Sequence, residues 1–269
     1  MMDFTEDQIH RYSRHIILPE VGGKGQEKIM NAKVFIVGAG GLGCPVGYYL
    51  TAAGVGTLKI IDNDKVELSN LQRQIAHSTD RIGMPKVDSV KKTFEALNPD
   101  VNVIALNQKI TKENIFDLIG DCDVVVDGSD NFPTRYLVND ACVMAGKPLV
   151  SGAILRFEGQ VTTIVPKLGH CYRCLFEEMP PAGLVPSCQE AGVLGALPGI
   201  VGGLQAMEVL KYILDKGDLL TNSMIIFEAM KARFRKVKVP KNPDCPVCGN
   251  NPTITELQDY DAEHCRLNF

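Results

Sequence analysis

The residues that could do chemistry cluster in three places. The run Asp62-Asn63-Asp64-Lys65-Val66-Glu67-Leu68-Ser69-Asn70-Leu71-Gln72-Arg73-Gln74 mixes carboxylates, amides and a guanidinium, and Lys86 follows it. A second acidic group is Asp127-Gly128-Ser129-Asp130-Asn131. Two or three cations beside a carboxylate suit a triphosphate with Mg²⁺, because cations offset phosphate charge and magnesium prefers hard oxygen ligands. Upstream, Gly38-Ala39-Gly40-Gly41-Leu42-Gly43 carries G-x-G-x-x-G at Gly38, Gly40 and Gly43. Glycines let a backbone approach a phosphate, and a following helix offers free N–H groups. Asp62 lies about 20 residues on, where a carboxylate can accept hydrogen bonds from ribose hydroxyls. The glycines and Asp62 alone would predict an NAD(P)-dependent oxidoreductase, but a nicotinamide ring has no use for the cations that follow. The plain alternatives are a tight turn for the glycines and solvated surface charges for Arg73 and Lys86. The combination argues against both.

The third cluster is Cys171-x-x-Cys174 with Cys245-x-x-Cys248. Two such pairs supply the four thiolates of a tetrahedral structural Zn²⁺ site that ties a long loop to the C-terminal tail. A redox CxxC is the rival, but neither pair has thioredoxin-like surroundings. With four thiols present, His170 is not needed as a ligand. Nine cysteines, an odd number, in a reducing compartment argue against a disulfide framework. Cys44, Cys122 and Cys142 fall at apolar positions of helices or strands and read as inert core. Cys188 falls in a Pro- and Gly-rich loop over 177–197, and Cys265 falls in a polar tail with no assignable role.

A βα alternation must position these groups. Val34-Phe35-Ile36-Val37 is a short apolar run ending in glycines, as a buried parallel strand is. Helix follows at 44–54, strand at 57–61, helix at 86–97 and strand at 101–106. Then come helix at 112–119, strand at 124–126, helix at 133–145 and strand at 149–150. Such alternation predicts right-handed βαβ units and a mainly parallel, Rossmann-like sheet with helices on both faces. Ligands bind outside the carboxyl ends of such strands, where Gly41, Asp62, Arg73, Lys86 and Asp130 could converge. Beyond Gly152 the strands at 160–165 and 224–239 extend the sheet in antiparallel fashion, with an apolar helix at 199–214 between them. At the start, Thr5 and Gln8 have capping-box spacing for a polar helix, which Gly22, Gly23 and Gly25 break before a second helix at 26–31. One domain, 1–269, is expected. It comprises N-terminal helices (1–31), a nucleotide-binding half (32–152) and a second half with the zinc staple (153–269).

Composition limits the classes. Hydrophobic residues at 45% and charged residues at 22% fit a globular protein, and a formal charge of -4 argues against a nucleic-acid surface. The alternating Lys/Arg stretch from Lys231 to Lys241 reads as a solvated strand face. Neither a signal peptide nor a run of about 18 apolar residues is present, so a cytoplasmic protein without membrane contact is expected.

GAGGLG, DNDKVELSNLQRQ, GMPK, DGSDN, SGAILRFEGQ and CYRC together resemble the HesA/MoeB/ThiF group of ubiquitin-activating-enzyme-like adenylyltransferases, from about Arg11 to Cys248. The resemblance implies a mixed eight-stranded sheet and a β-grasp sulfur-carrier partner ending in Gly-Gly. The carrier's carboxylate would attack the α-phosphate of ATP, giving acyl-adenylate and pyrophosphate. It further implies that Asp62 holds the ribose, that Gly41 lies against the nucleotide and that Asn70, Arg73 and Lys86 clamp the phosphates. Asp130 would bind Mg²⁺, and Asp64, Ser69 and Asn131 are counted with the nucleotide-binding residues. Arg14 would reach the active site of the other subunit of a homodimer, and Cys188 matches a loop cysteine that in some members links covalently to the carrier. The chain runs only to Phe269, without the rhodanese domain of some relatives, so a separate sulfur donor such as a cysteine desulfurase or rhodanese is expected. No general base is required, since a carboxylate is already ionised at neutral pH. A non-catalytic scaffold for a ubiquitin-like protein is the remaining alternative, against which the intact Arg73, Lys86 and Asp130 argue.

Overall fold

The computed structural model describes residues 4–181, 191–258 and 260. Eight strands form one sheet: β1 (Lys33–Val37), β2 (Thr57–Ile61), β3 (Asn102–Leu106), β4 (Val124–Asp127), β5 (Leu149–Leu155), β6 (Glu158–Ile164), β7 (Ser223–Glu228) and β8 (Arg233–Lys238). Their order is β3-β2-β1-β4-β5-β6-β7-β8. The first five are parallel, and β6, β7 and β8 add in antiparallel fashion. Among the described residues the helices are α1 (Glu6–Ile16), α2 (Gly22–Asn31), α3 (Gly43–Ala53), α4 (Lys86–Leu97), α5 (Ile115–Ile119), α6 (Phe132–Ala145), α7 (Tyr172–Leu175) and α8 (Leu197–Leu214).

Period-two alternation splits the central strands between two cores. Val34, Ile36, Leu58, Ile60, Val124 and Val126 face one core with Leu50 of α3, Phe94 of α4 and Val201 of α8. Phe35, Val37, Ile61 and Val125 face the other with Ile115, Tyr136, Cys171 and Cys245. Both faces of the parallel half are therefore covered, which is why its strands read as unbroken apolar runs. The order reverses between β1 and β4, and this switch point opens the crevice that holds the site.

Three local expectations are corrected. The glycines at 22, 23 and 25 lie inside α2. A Cβ on Gly25 would stand 2.9 Å from both Leu214 and Val21, so close helix packing outweighs glycine's poor propensity. The helix expected at 112–119 begins only at Ile115, because Asn114 Oδ1 takes the Thr111 N–H at 2.8 Å and forms a turn there. Cys122 is buried in the connection between α5 and β4, outside any helix or strand. The Thr5 side chain caps α1 as expected, accepting from Gln8 N at 3.2 Å. Among the described residues no helix is long and apolar enough to cross a membrane.

Candidate active site

A cavity of about 890 Å³ opens at the carboxyl ends of β1, β2, β4 and β5. Gly38, Gly40, Gly41, Asp62, Asp64, Arg73, Lys86, Asp130 and Asn131 all line it. Ser69 and Asn70 stand outside its lining. Asn70 is buried and Oδ1 accepts from Glu67 N at 3.1 Å, which shapes the turn presenting Arg73. Arg73 in turn donates to Ser69 O at 3.0 Å.

The glycine loop is two kinds of glycine. Gly38 has φ +92°, and a Cβ on Gly43 would fall 1.8 Å from Gly38 O, so these two positions are demanded by the fold of the loop itself. Gly40 and Gly41 are different. A Cβ on Gly40 would find Gln74 Nε2 at 3.5 Å, and one on Gly41 would find Pro198 at 3.6 Å, both ordinary contact. The protein alone does not require glycine at either, and both face the cavity.

Ala39 anchors the loop from two sides. Asp62 Oδ2 accepts from Ala39 N at 2.8 Å, while Oδ1 accepts from Asp64 N at 2.8 Å. His77 Nε2 lies 3.0 Å from Ala39 O and so must carry the proton, leaving Nδ1 to accept from Ser89 Oγ at 2.9 Å. Burial raises the Asp62 carboxyl above its usual range, with Lys86 and the two backbone N–H groups opposing. Burial likewise lowers His77, which is neutral. Lys86, the first residue of α4, is 8% exposed in its side chain and pairs with Asp64 Oδ2 at 2.7 Å. Asp64 is 63% exposed, so the pair is held from the lysine side.

At the end of β4, Asp127 is fully buried and bonds Ser129 N at 2.9 Å and Ser129 Oγ at 2.6 Å through Oδ1. This folds the turn that carries Asp130. Asn131 then caps α6, its Oδ1 accepting from Thr134 N at 2.9 Å. Sequence reasoning placed Asp127 in the acidic run without giving it a role and did not single out Arg135, His77 or Gln205; the signal for Arg135 was position, one turn into the helix that follows that run. Arg14 lies exposed on α1, away from the cavity lining. Cys188 and Cys265 lie outside the described residues.

The four cysteines meet although the pairs are far apart in sequence. All four Sγ atoms lie within 4.8 Å of one another, with Cys171–Cys245 at 3.5 Å and Cys174–Cys248 at 3.4 Å. Cys174 Sγ also accepts backbone N–H bonds from Cys171 at 3.4 Å and Asn242 at 3.3 Å. Mutual hydrogen bonds among the four thiols lower Cys174 and Cys245 and raise Cys171 and Cys248, so the four share their protons as one group. The Cys171–Cys174 knuckle is fixed to α6: Arg173 forks onto Asp140 at 2.9 and 3.1 Å from Nε, and Tyr172 N donates to Asn139 Oδ1 at 2.8 Å. His170 turns away, its Nε2 bonded to Thr162 Oγ1 at 2.9 Å.

A parallel half-sheet with a glycine loop at its switch point and an antiparallel extension defines a Rossmann-like mixed α/β protein. The chain belongs to the ThiF family, which it matches over residues 12–247. It is 51% identical over 266 residues to the sulfur carrier protein adenylyltransferase of Thermus thermophilus, covering 97% of this chain and 98% of that protein. It is 50% identical over 263 residues to the SAMP-activating enzyme E1 of Haloferax volcanii, covering 97% of each. Among solved structures, E. coli MccB with ATP superposes with a TM-score of 0.76 at 26% identity, covering 89% of this chain and 75% of that one.

Proposed function

We propose that the chain adenylates the C-terminal Gly-Gly carboxylate of a ubiquitin-like sulfur-carrier protein, consuming ATP and releasing pyrophosphate. The observation that carries this is the cradle at Gly40 and Gly41. Glycine there has no steric need within the chain, yet it faces a cavity whose walls carry Arg73, Lys86 and Asp130. The relatives' names supply the substrate class. Attack of one anion on another needs cations that screen both and a fixed in-line approach, and no proton need be removed.

Within this reading Asp62 holds the ribose, with its carboxylate already aimed by two backbone N–H groups. Gly38, Gly40, Gly41 and Gly43 form the loop under the phosphates. Arg73 and Lys86 clamp the phosphates, while Asn70 and Ser69 shape the segment that presents Arg73. Asp64 pairs with the buried Lys86 ammonium, and Asn131 fixes the start of α6. Asp130 is the residue that would hold Mg²⁺, a hard cation suited to a carboxylate on a polar turn. When bound, magnesium supplies charge neutralisation at the phosphates.

The four cysteines would hold Zn²⁺ in a structural role. A Zn–S bond of about 2.3 Å places tetrahedral sulfurs about 3.8 Å apart, close to the 3.5 and 3.4 Å of the two nearest pairs. A homodimer is favoured by the apolar outer face of α3 and α8, where Tyr49 and Met207 are 59% and 55% exposed. Arg14 is then available to reach the partner's site. Cys188 would form the covalent link to the carrier. The sulfur would come from a separate cysteine desulfurase or rhodanese, in molybdopterin, thiamine or related sulfur transfer.

The test is ATP–pyrophosphate exchange with each candidate Gly-Gly carrier. Exchange that depends on one carrier names the substrate; none with any carrier, from folded protein, supports the scaffold alternative. Arg73→Ala and Asp130→Ala each abolish exchange while leaving the fold intact, and full exchange by both variants refutes their assignment.

A further inference from the structure

We propose that Arg135 is a positioning residue: it holds the turn 128–131, and so Asp130, against strand β5. The inference rests on the reading of Asp130 as the Mg²⁺-binding residue.

Arg135 lines the cavity and could pass for a third phosphate clamp. Its surroundings assign it otherwise. The guanidinium and the Asp127 carboxylate are both buried, and they stand 3.5 Å apart at Nη1–Oδ2. A buried charge that is already neutralised has little left to offer a phosphate. Its donors go to the backbone on two sides of the crevice. Nη2 donates to Ser129 O at 2.8 Å, on the turn, and Nη1 donates to Gly152 O at 2.9 Å, on β5, with Ser151 Oγ at 3.4 Å. The Tyr172 ring lies against it, 5.7 Å from centroid to guanidinium carbon. On the opposite side, Gln205 Nε2 donates to Asp127 O at 2.8 Å. The strand end is thus gripped by Gln205 and the turn by Arg135.

The turn has little freedom to move without consequence. A Cβ on Gly38 would meet Gly128 O at 3.0 Å, and one on Gly128 would meet Val37 O at 3.1 Å and Gly43 N at 3.2 Å. The turn and the glycine loop are therefore in direct contact, and displacing one displaces the other. Only a planar fork spans Ser129 O and Gly152 O together. An ammonium on a flexible stem satisfies one and releases the other.

The experiment compares wild type, Arg135→Lys and Asp130→Asn by the Mg²⁺ concentration that gives half-maximal ATP–pyrophosphate exchange, and by nucleotide binding without Mg²⁺. Arg135→Lys is expected to raise the Mg²⁺ requirement about 10-fold, as loss of a residue that orients a metal-binding group does. Its Mg²⁺-free nucleotide affinity stays within about twofold of wild type, since Arg73 and Lys86 are untouched. A shift in Asp130→Asn with none in Arg135→Lys overturns the role of Arg135 and leaves that of Asp130 standing. No shift in either overturns the reading of Asp130, and this inference with it. A large loss of Mg²⁺-free nucleotide affinity in Arg135→Lys overturns the inference by making Arg135 a direct phosphate contact. Should Arg135→Lys fail to fold, Ser151→Ala removes one contact of the same bridge and is expected to raise the requirement about two- to threefold. An unchanged requirement in that variant, with Asp130→Asn shifted, likewise counts against the inference.

Discussion

One methyl group, placed at two glycines of the same loop, should produce opposite phenotypes. In Gly43→Ala the new Cβ would lie 1.8 Å from Gly38 O and 2.8 Å from Gly38 C. Both obstacles are backbone, so the loop or the start of α3 must shift. Overpacking of a tight site costs about 1–3 kcal/mol and sometimes more, and a clash this deep belongs at or above about 3 kcal/mol. For a chain of this size that lowers Tm by about 6–12 °C. In Gly41→Ala the same methyl finds Pro198 at 3.6 Å, a van der Waals distance, and the backbone is outside the left-handed region. The empty protein should keep its Tm within about 2 °C, since an unstrained surface-type change stays within about ±0.5 kcal/mol. The methyl instead takes space from the cavity. If overpacking by a bound phosphate again costs about 1–3 kcal/mol, nucleotide affinity falls about 5- to 150-fold. Differential scanning calorimetry gives the first quantity, and calorimetric titration with ATP gives the second. Wild-type nucleotide affinity in Gly41→Ala would refute the cradle, and wild-type stability in Gly43→Ala would refute the division of the loop into two kinds of glycine.

Three further outcomes follow from other parts of the structure. Arg173→Met strands the buried Asp140 carboxylate, which Arg173 now meets at 2.9 and 3.1 Å, and should cost about 3–5 kcal/mol in urea unfolding. Adding Asp140→Leu recovers much of that loss, and a single variant as stable as wild type contradicts the buried pair. Purified protein should carry one zinc per chain by elemental analysis; Cys245→Ser or a strong chelator removes it with a fall in Tm, and metal-free protein of unchanged Tm would rule out the staple. His77 has a folded-state pKa below the ordinary 6.5, so the unfolded chain binds the extra proton. Stability therefore falls as pH drops through about 6.5 and levels off below the lowered folded value. His77→Gln keeps an N–H donor for Ala39 O and should flatten the decline in urea midpoint between about pH 7 and pH 5, whereas an unchanged slope would acquit His77.

The legible parts of this chain were those encoded locally. Val34-Phe35-Ile36-Val37 before the glycines announced a buried strand and its loop, and α4 starts and stops at the residues expected, Lys86 and Leu97. Convergence of Gly41, Asp62 and Asp130 on one cavity follows from strand ends, while Arg73 reaches it from the connection after β2 and Lys86 from the start of α4. What stayed hidden depends on partners remote in sequence. Gly25 looked like a helix breaker because Leu214, the side chain it must admit, lies at the far end of α8. β5 runs to Leu155 rather than Val150 because β6 pairs with it through Leu155–Glu158, and Gly152 interrupts the apolar pattern. That Gly152 is needed because Gln205 fills the place of its Cβ, with Cδ 2.4 Å from it. His77, Asp127, Arg135 and Gln205 bond to backbone atoms, for which no residue type in the sequence serves as a marker.

The joining of Cys171 to Cys245 spans 74 residues, and the segment between them contains α8, β7 and β8. The proposed metal cross-link of that span would close a loop whose entropy in the unfolded chain is worth about 4 kcal/mol. The timing matters as much as the size. During synthesis the first pair of thiols emerges with only half of a site, and the second pair follows only after the last two strands of the sheet have been made. The proposed four-thiolate site can therefore be completed only in chains that have been translated through Cys248. A nascent chain truncated before that point exposes two unmatched cysteines, which distinguishes it chemically from finished protein.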